Sequence, residues 1–200
     1  MTYSEETDTL LIKRFRNGDK RAFDDLLKRY EQSIYNFGLK MCRRPEDAED
    51  LLQETFLNAL RYLDRFRGEA AFKNWLFRIA TSVCIKKRRK KKHEPELELS
   101  WEELLPDDHP QPEDRPMWLS TPIEQLLNQE LRDILNGAIK QLPPKYKIVL
   151  VLRDIEQFST KEVAGMLSIM PSTVKVRLHR ARLFVRNRIK GYYEEMGHAA

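Results

Sequence analysis

The chain has 200 residues, with 36 Lys and Arg against 31 Asp and Glu, a net charge of +5 and a sequence pI of about 9.1. A basic protein of this length has room for two small domains and is suited to binding polyanions such as nucleic acid. Its longest strongly apolar run, Ile148–Leu152, is too short to cross a bilayer, and the first residues show no secretory signal, so we expect a cytoplasmic protein without membrane insertion.

The cysteine and histidine positions argue against a metal or redox centre. Cys42 and Cys84 lie far apart, and the chain contains no CxxC and no histidine spacing typical of metal ligands. Both cysteines fall within apolar helical patterns, so we expect them to be core residues in a reducing compartment. No paired carboxylates, nucleophile–base pair or phosphate-cradling glycine loop stands out. The sequence predicts a protein that is not an enzyme and requires no cofactor.

Charge is distributed in three blocks. The net charge is +8 for residues 1–93, −9 for residues 94–125 and +6 for residues 126–200. The central block contains six of the ten prolines, a composition typical of an extended tether. Two of its residues, Trp101 and Trp118, are unusual in a tether and fit either docking on a partner or packing against the protein's own domains.

The first block shows helical periodicity interrupted by breaks. After the Asn17-Gly18 break, where Asp19 can cap a helix, apolar residues recur at spacings of one, three or four residues. Pro45 suits the first turn of the next helix, Gly68 marks another break, and a further helix is expected from about residue 71 to about residue 92. The first apolar stripe consists of Phe23, Leu26, Leu27, Tyr30, Ile34, Phe37 and Met41.

The predicted helix over residues 47–63 has one apolar and one polar face. Leu57 lies in the middle of the polar face, where nothing within the helix explains it. A leucine surrounded by acids suggests a protein partner with a basic, partly apolar surface, although single exposed leucines are common. The polar face comprises Asp47, Asp50, Gln53, Glu54, Asn58 and Arg61.

The last block predicts a helix-turn-helix. Capping boxes occur at Thr121 and at Ser159, and a short apolar helix is expected over residues 145–155. A helix of about eight residues, a turn at 168–170 and a long basic helix over 171–190 follow, and this last helix holds seven Lys and Arg and no acid. Together these patterns predict an all-helical protein with domains at 1–93 and 121–195 joined by an acidic linker at 94–120.

The basic helix is expected to divide into a core face and a DNA face. At 100° per residue, the core face carries Val174, Leu178, Ala181, Val185 and Ile189. Base edges are expected to meet Ser172, Thr173, Val176, His179 and Arg180. Phosphates are expected to meet Lys175, Arg177, Arg182 and Arg186. The alternative is a solvated basic surface helix, which the agreement of turn, cap and charge disfavours.

Two long runs carry a resemblance to a known family. The run DAEDLLQETFLNALRYLDRFRGEAAFKNWLFRIA, residues 47–80, resembles region two of bacterial sigma factors of the extracytoplasmic-function group. The run LPPKYKIVLVLRDIEQFSTKEVAGMLSIMPSTVKVRLHRAR, residues 142–182, resembles region four of the same family. The resemblance implies a sigma factor that binds core RNA polymerase and directs promoter recognition, promoter opening and transcription initiation, for a stress or envelope-signal regulon.

The resemblance also implies roles for individual residues. Core polymerase would bind, through a coiled coil of its largest subunit, the helix surface formed by Asp47, Asp50, Gln53, Glu54, Leu57 and Asn58. The minus-ten element would be read and opened, with one base flipped into a loop pocket, by Phe66, Arg67, Gly68, Glu69, Lys73, Asn74 and Arg78. The DNA face of the basic helix would read the minus-thirty-five element, and the acidic linker would occupy a basic polymerase channel. An anti-sigma factor is a further expected partner.

Four points keep alternatives open. The seven basic residues Lys86–Lys92, among them Lys86, Arg88 and Arg89, fit either upstream phosphate contacts or a solvated helix end. The family often has glycine at the positions of Ser168 and Ser172 and proline at that of Met170, so the register of the basic helix on DNA stays open. Ser168 fits either a less costly turn or a left-handed conformation that costs about 1–2 kcal/mol. The rival function is a free-standing helix-turn-helix regulator, which leaves the surface around Leu57 without a role.

Overall fold

The computed structural model describes residues 7–42, 44–68, 71–90 and 129–197 and divides the chain into two compact units, Met1–Glu94 and Pro95–Ala200. Every regular element within these ranges is helical and none is a strand, so the all-helical fold class predicted from the sequence is confirmed. The linker at 94–120 and the capping box predicted at Thr121 lie outside the described residues. No helix in the described part of the chain is long and apolar enough to cross a membrane.

The described part of the first unit contains helices α1 (Asp8–Arg16), α2 (Lys20–Met41), α3 (Pro45–Tyr62) and α4 (Phe72–Lys90), with a 3₁₀ turn at Leu63–Arg65. Local chemistry sets their boundaries as the sequence predicts. The Asp19 side chain accepts a hydrogen bond from the backbone N–H of Arg21 at 3.1 Å and thereby caps α2. Pro45 occupies the first turn of α3, where its missing N–H costs no helical hydrogen bond.

Helices α2, α3 and α4 of the first unit enclose an apolar core. Phe37 of α2 and Phe77 of α4 are fully buried and meet edge to face, with ring centroids 5.7 Å apart. A Cβ atom added to Gly38 would lie 3.0 Å from the Cβ of Ala48, so the missing side chain allows α2 and α3 to approach closely. The predicted stripe of α2 is confirmed: Phe23, Leu26, Ile34, Phe37 and Met41 are buried, and Leu27 and Tyr30 are half-buried.

The described part of the second unit contains α5 (Gln129–Gln141), α6 (Pro144–Leu150), a π-helical segment (Val151–Ile155), α7 (Thr160–Leu167) and α8 (Pro171–Gly197). Where the sequence predicts one helix over 145–155, α6 therefore continues into π-helical backbone. Four consecutive apolar residues of this region are completely buried, which makes it the centre of the unit's core; they are Val149, Leu150, Val151 and Leu152.

Candidate functional site

The predicted polar face of α3 lies on the surface of the first unit. The side chain of Asp50 is 66% exposed and that of Glu54 is 38% exposed, and Gln53 is exposed near them. Leu57 is 65% exposed, and Leu60, one helical turn further on, is 45% exposed. This combination of carboxylates and exposed leucines suits a basic, partly apolar partner. Two predicted residues are more covered: Asp47, which lies 3.5 Å from Arg44, and Asn58, which donates to the backbone carbonyl of Glu54.

Lys87 of α4 lies against this acidic surface. Its Nζ is 3.4 Å from a carboxylate oxygen of Asp50 and 3.9 Å from one of Glu54. Lys87 belongs to the run Lys86–Lys92, for which the sequence leaves open phosphate contacts or a solvated helix end, and the structure places its ammonium against the carboxylates of α3. Of the other members, Lys86 is exposed, Arg88 is half-buried, and the side chain of Arg89 lies outside the described residues.

Phe66, predicted to contact the minus-ten element, is buried with only 8% exposure. Its ring packs edge to face on Phe72, with centroids 5.7 Å apart, and lies 5.2 Å from the ring of Trp75. A ring enclosed in this way has no free face for stacking on a base. Phe66 is therefore corrected from a DNA-contacting residue to a support beneath the loop that follows it.

The residues after Phe66 face solvent. Arg67 and Gly68 are exposed, and the φ of +78° at Gly68 is a conformation that side chains other than glycine rarely adopt. On α4, Arg78 is exposed and Asn74 is half-buried, while the Lys73 Nζ lies 5.6 Å from the ring centroid of Phe77. Among the residues that the structure describes, basic side chains and an amide therefore follow the turn at Gly68. Glu69 lies outside the described residues.

The predicted helix-turn-helix in the second unit is formed by α7 and α8. Ser159 and Glu162 make both hydrogen bonds of a capping box: the Glu162 N–H donates to Ser159 Oγ at 3.2 Å, and the Ser159 N–H donates to the Glu162 carboxylate at 2.7 Å. Ser168 ends α7 with φ 54° and ψ 45°. Of the two turns left open by the sequence, the structure contains the left-handed one.

The faces of α8 follow the predicted division. On the core side, Val174, Leu178, Ala181 and Val185 are buried and Ile189 is half-buried. On the other side, Val176 is 46% exposed, an apolar side chain among cations. Ser172, Lys175 and Arg186 are also exposed, and Thr173, Arg177, His179 and Arg180 are half-buried. Phe184 is a buried residue that the 100° arithmetic did not select.

Arg182, predicted to contact phosphate, is engaged inside the second unit. Its Nε donates to one carboxylate oxygen of Asp154 at 2.9 Å and its Nη2 to the other at 2.7 Å. The Asp154 side chain is only 2% exposed, so the guanidinium neutralises a buried charge. Arg182 is therefore corrected from a phosphate contact to a link between the π-helical segment and α8.

Comparison with known proteins decides the family. Profiles of the families described as Sigma-70 region 2 and Sigma-70 region 4 match residues 26–94 and 132–185. The extracytoplasmic-function (ECF) sigma factor SigW of Bacillus subtilis is 33% identical over 187 residues, covering 90% of this chain and 95% of SigW. The RNA polymerase sigma-H factor of Pseudomonas aeruginosa is 30% identical over 182 residues, covering 90% and 92%. The chain belongs to the ECF group of the sigma-70 family.

Solved structures agree with this sigma fold. CnrH, determined in complex with the cytosolic domain of CnrY, aligns with a TM-score of 0.63 at 22% identity, covering 93% of this chain and 99% of CnrH. RpoE of Bartonella quintana, determined in complex with the anti-sigma factor NepR, aligns with a TM-score of 0.63 at 23% identity, covering 84% and 96%. As a sigma factor, the protein directs promoter recognition in transcription initiation and is not an enzyme, which excludes the free-standing regulator.

The sigma region 2 profile begins within α2, so α1 precedes the matched residues. The described structure adds one residue, Leu60, to those selected from the sequence and gives Lys87 a contact that the sequence does not show. Leu60 extends the apolar part of the acidic surface, and its position three residues after Leu57 is a signal that helical spacing provides. The contact of Lys87 with the acidic surface becomes recognisable only in the structure, because it joins two helices and no local pattern distinguishes Lys87 within its run of cations.

Proposed function

We propose that this sigma factor binds core RNA polymerase through the surface of α3 that carries Asp50, Gln53, Glu54, Leu57 and Asn58. The observation that carries the proposal is the exposure of Leu57 among carboxylates, because burial of that leucine requires a partner. Carboxylates around an apolar centre provide charge complementarity and orientation toward a basic surface. Leu60 enlarges the apolar centre and belongs to the same proposed interface, with Asp47 at its edge.

We further propose that the minus-ten element is read where Arg67 and Gly68 precede α4. Unstacking a base costs a few kcal/mol, so a reader must supply nearby cations and a surface for the released base. Exposed Arg67 and Arg78 supply charge, and Asn74 supplies an amide that can bond base edges. The glycine backbone lets a nucleotide approach closely, since no side chain stands in the way.

The minus-thirty-five element is proposed to bind along the exposed face of α8. Its N-terminal half presents Thr173, Val176, His179 and Arg180 to base edges, and Lys175, Arg177 and Arg186 are placed for phosphates. Val176 matters chemically because an apolar side chain in the major groove can contact the methyl group of thymine. The protein would act in the cytoplasm, where polymerase and promoter DNA are found.

An anti-sigma factor is proposed as a regulatory partner. Support comes from RpoE of Bartonella quintana, whose structure was determined in complex with the anti-sigma factor NepR. An anti-sigma protein that covers the α3 surface would compete with core polymerase. Incubation with such a protein before core is added should then lower transcription more than addition after the holoenzyme has formed, and equal inhibition in both orders would argue against competition.

Run-off transcription with core polymerase and fragments of the source genome tests the whole assignment. We expect transcripts that require both proteins and promoters that share two sequence elements. Substitutions in the upstream element should weaken binding, and substitutions in the downstream element should impair strand opening. Footprinting of the protein without core supplies the control, because tight specific binding by the protein alone would contradict the proposed dependence on polymerase.

A further inference from the structure

Arg16, the last residue of α1, contacts the backbone that leads into the proposed minus-ten loop, which begins with Arg67 and Gly68. Its Nη2 donates to the carbonyl oxygen of Leu63 at 3.3 Å and also to that of Phe66. Leu63 begins the 3₁₀ turn after α3, and Phe66 ends it. The Leu63 carbonyl also accepts the backbone N–H of Phe66 at 3.0 Å, and Arg16 adds a charged donor to both carbonyl groups, which carry partial negative charge at the end of a helical turn.

Helix α1 is fixed at both ends. At its start, Asp8 forms a salt bridge with Arg29 at 2.7 Å and accepts a hydrogen bond from the hydroxyl of Tyr30. Burial, together with the hydrogen bond to Asp8, raises the pKa of Tyr30 above its ordinary value of 10.0. At its end, Arg16 reaches the loop. Helix α1 therefore connects α2 to the start of the loop.

Phe66 is consequently held from two sides. Arg16 fixes its carbonyl group, and the rings of Phe72 and Trp75 enclose its side chain. The exposed Arg67 and Gly68 follow immediately, so the position of residue 66 determines where the proposed DNA-reading residues emerge from the surface.

We propose that Arg16 is a positioning residue for minus-ten recognition. It holds the start of the loop in the conformation that accepts the displaced DNA strand and does not itself contact DNA. This inference rests on the proposed role of the loop. It assigns a function to α1, which lies outside the residues matched by the sigma region 2 profile.

The test compares holoenzymes made with full-length Arg16→Ala and Lys13→Ala. Lys13 is an exposed cation on the same helix, so its removal is matched in charge and location. The probe is a single-stranded oligonucleotide of the non-template strand from a promoter mapped by run-off transcription. Arg16→Ala should lower affinity for this strand about 3- to 10-fold, a loss on the scale of one ordinary net hydrogen bond. Lys13→Ala should leave affinity unchanged, and both variants should bind core normally.

Salt dependence separates positioning from direct contact. Because the proposal places no phosphate on Arg16, the slope of log affinity against log salt should stay unchanged in Arg16→Ala. A slope smaller by about 0.7, the change expected for one phosphate contact on a single strand, would make Arg16 a phosphate contact and overturn the proposal. Equal losses in Arg16→Ala and Lys13→Ala would overturn it as well. If Arg16→Ala fails to fold, Arg16→Lys provides the measurement. Its affinity for the strand should be lower than that of the wild type and of Lys13→Ala, but binding should not be lost completely.

Arg67→Ala distinguishes failure of this inference from failure of the proposed loop function. If Arg67→Ala weakens strand binding and Arg16→Ala does not, the positioning role is wrong and the loop assignment stands. If both variants bind the strand like the wild type, the loop assignment is wrong and the positioning role falls with it.

Discussion

Asp154 and Arg182 form a two-point salt bridge across 28 residues of sequence, with donor–acceptor distances of 2.9 and 2.7 Å. The side chain of Asp154 is almost completely buried, and the side chain of Arg182 is 23% exposed. The pair joins the π-helical segment to α8, the proposed reader of the minus-thirty-five element. A buried charge whose partner is removed is far more costly than a surface charge, so this link is a sensitive point of the second unit.

Replacing Asp154 by alanine should destabilise the second unit by about 1.5–3 kcal/mol, because two charge-assisted hydrogen bonds are lost while the partly exposed Arg182 guanidinium can still reach water. Urea unfolding followed by circular dichroism measures the change. The control is Asp133→Ala, an exposed acid on α5, which should alter the free energy of unfolding by less than about 0.5 kcal/mol. Equal effects of the two substitutions would show that the salt bridge contributes little.

Arg182→Ala and Lys175→Ala should differ in how they affect the salt dependence of DNA binding and the stability of the second unit. Lys175 is exposed on α8, and its loss should weaken holoenzyme binding to duplex promoter DNA and reduce the salt slope by about 1. Arg182→Ala should lower the stability of the second unit with the salt slope unchanged, since its guanidinium is bound to Asp154. Binding titrations at several salt concentrations measure both slopes, and a reduced slope in Arg182→Ala would return this residue to the phosphate contacts.

Charge reversal on α3 should separate polymerase binding from folding. Asp50→Arg should weaken binding to core polymerase, because it places a cation where the proposed partner is basic. Stability should change by less than about 1 kcal/mol, the scale of the largely exposed ion pair with Lys87 that this substitution removes. Asp25→Arg, an exposed acid on α2, makes the same change of charge away from this surface. A pull-down with core in which the two folded variants bind equally would remove α3 from the interface.

The sequence predicts those features that one helix specifies by itself. The buried stripe of α2 and the exposure of Leu57 follow from 100° spacing, and the cap at Ser159 follows from local residue types. Features that depend on contacts between distant elements escape this reasoning. A helical wheel gives the direction of the Arg182 side chain but cannot show that it meets Asp154. It also cannot show that Lys87 lies next to Asp50, because both contacts depend on how two helical segments pack against each other.

The close approach of α2 and α3 makes Gly38 a steric requirement. Gly38→Ala should destabilise the first unit by about 1–3 kcal/mol, because the new methyl group would meet the Cβ of Ala48 at 3.0 Å and its backbone Cα at 3.1 Å. Gly137→Ala on α5 is the control, since nothing lies within 4 Å of an added Cβ there, and it should stabilise its helix by about 0.5–1 kcal/mol. Thermal unfolding of the two variants measures both changes, and a stabilising Gly38→Ala would mean that the helices separate without cost.

Ser168 provides the final prediction, because it occupies a left-handed conformation between α7 and α8 with φ 54°. That conformation costs a residue with a Cβ atom about 1–2 kcal/mol, and glycine avoids this cost. Glycine also loses more backbone entropy on folding, about 0.5–1 kcal/mol, so Ser168→Gly should stabilise the second unit by a net of roughly 0.5–1 kcal/mol.

The backbone of the wild type already has the geometry that glycine favours, and the N–H groups of Ser168 and Ile169 both donate to the carbonyl of Ala164. Ser168→Gly should therefore leave the register of α8 on DNA unchanged, and run-off transcription should show the same promoter preference as the wild type. Ser172→Gly is the control, because Ser172 lies in the first turn of α8, where glycine weakens a helix. Urea unfolding should show opposite signs for the two variants. A destabilising Ser168→Gly would mean that the serine side chain stabilises the turn by more than the left-handed conformation costs.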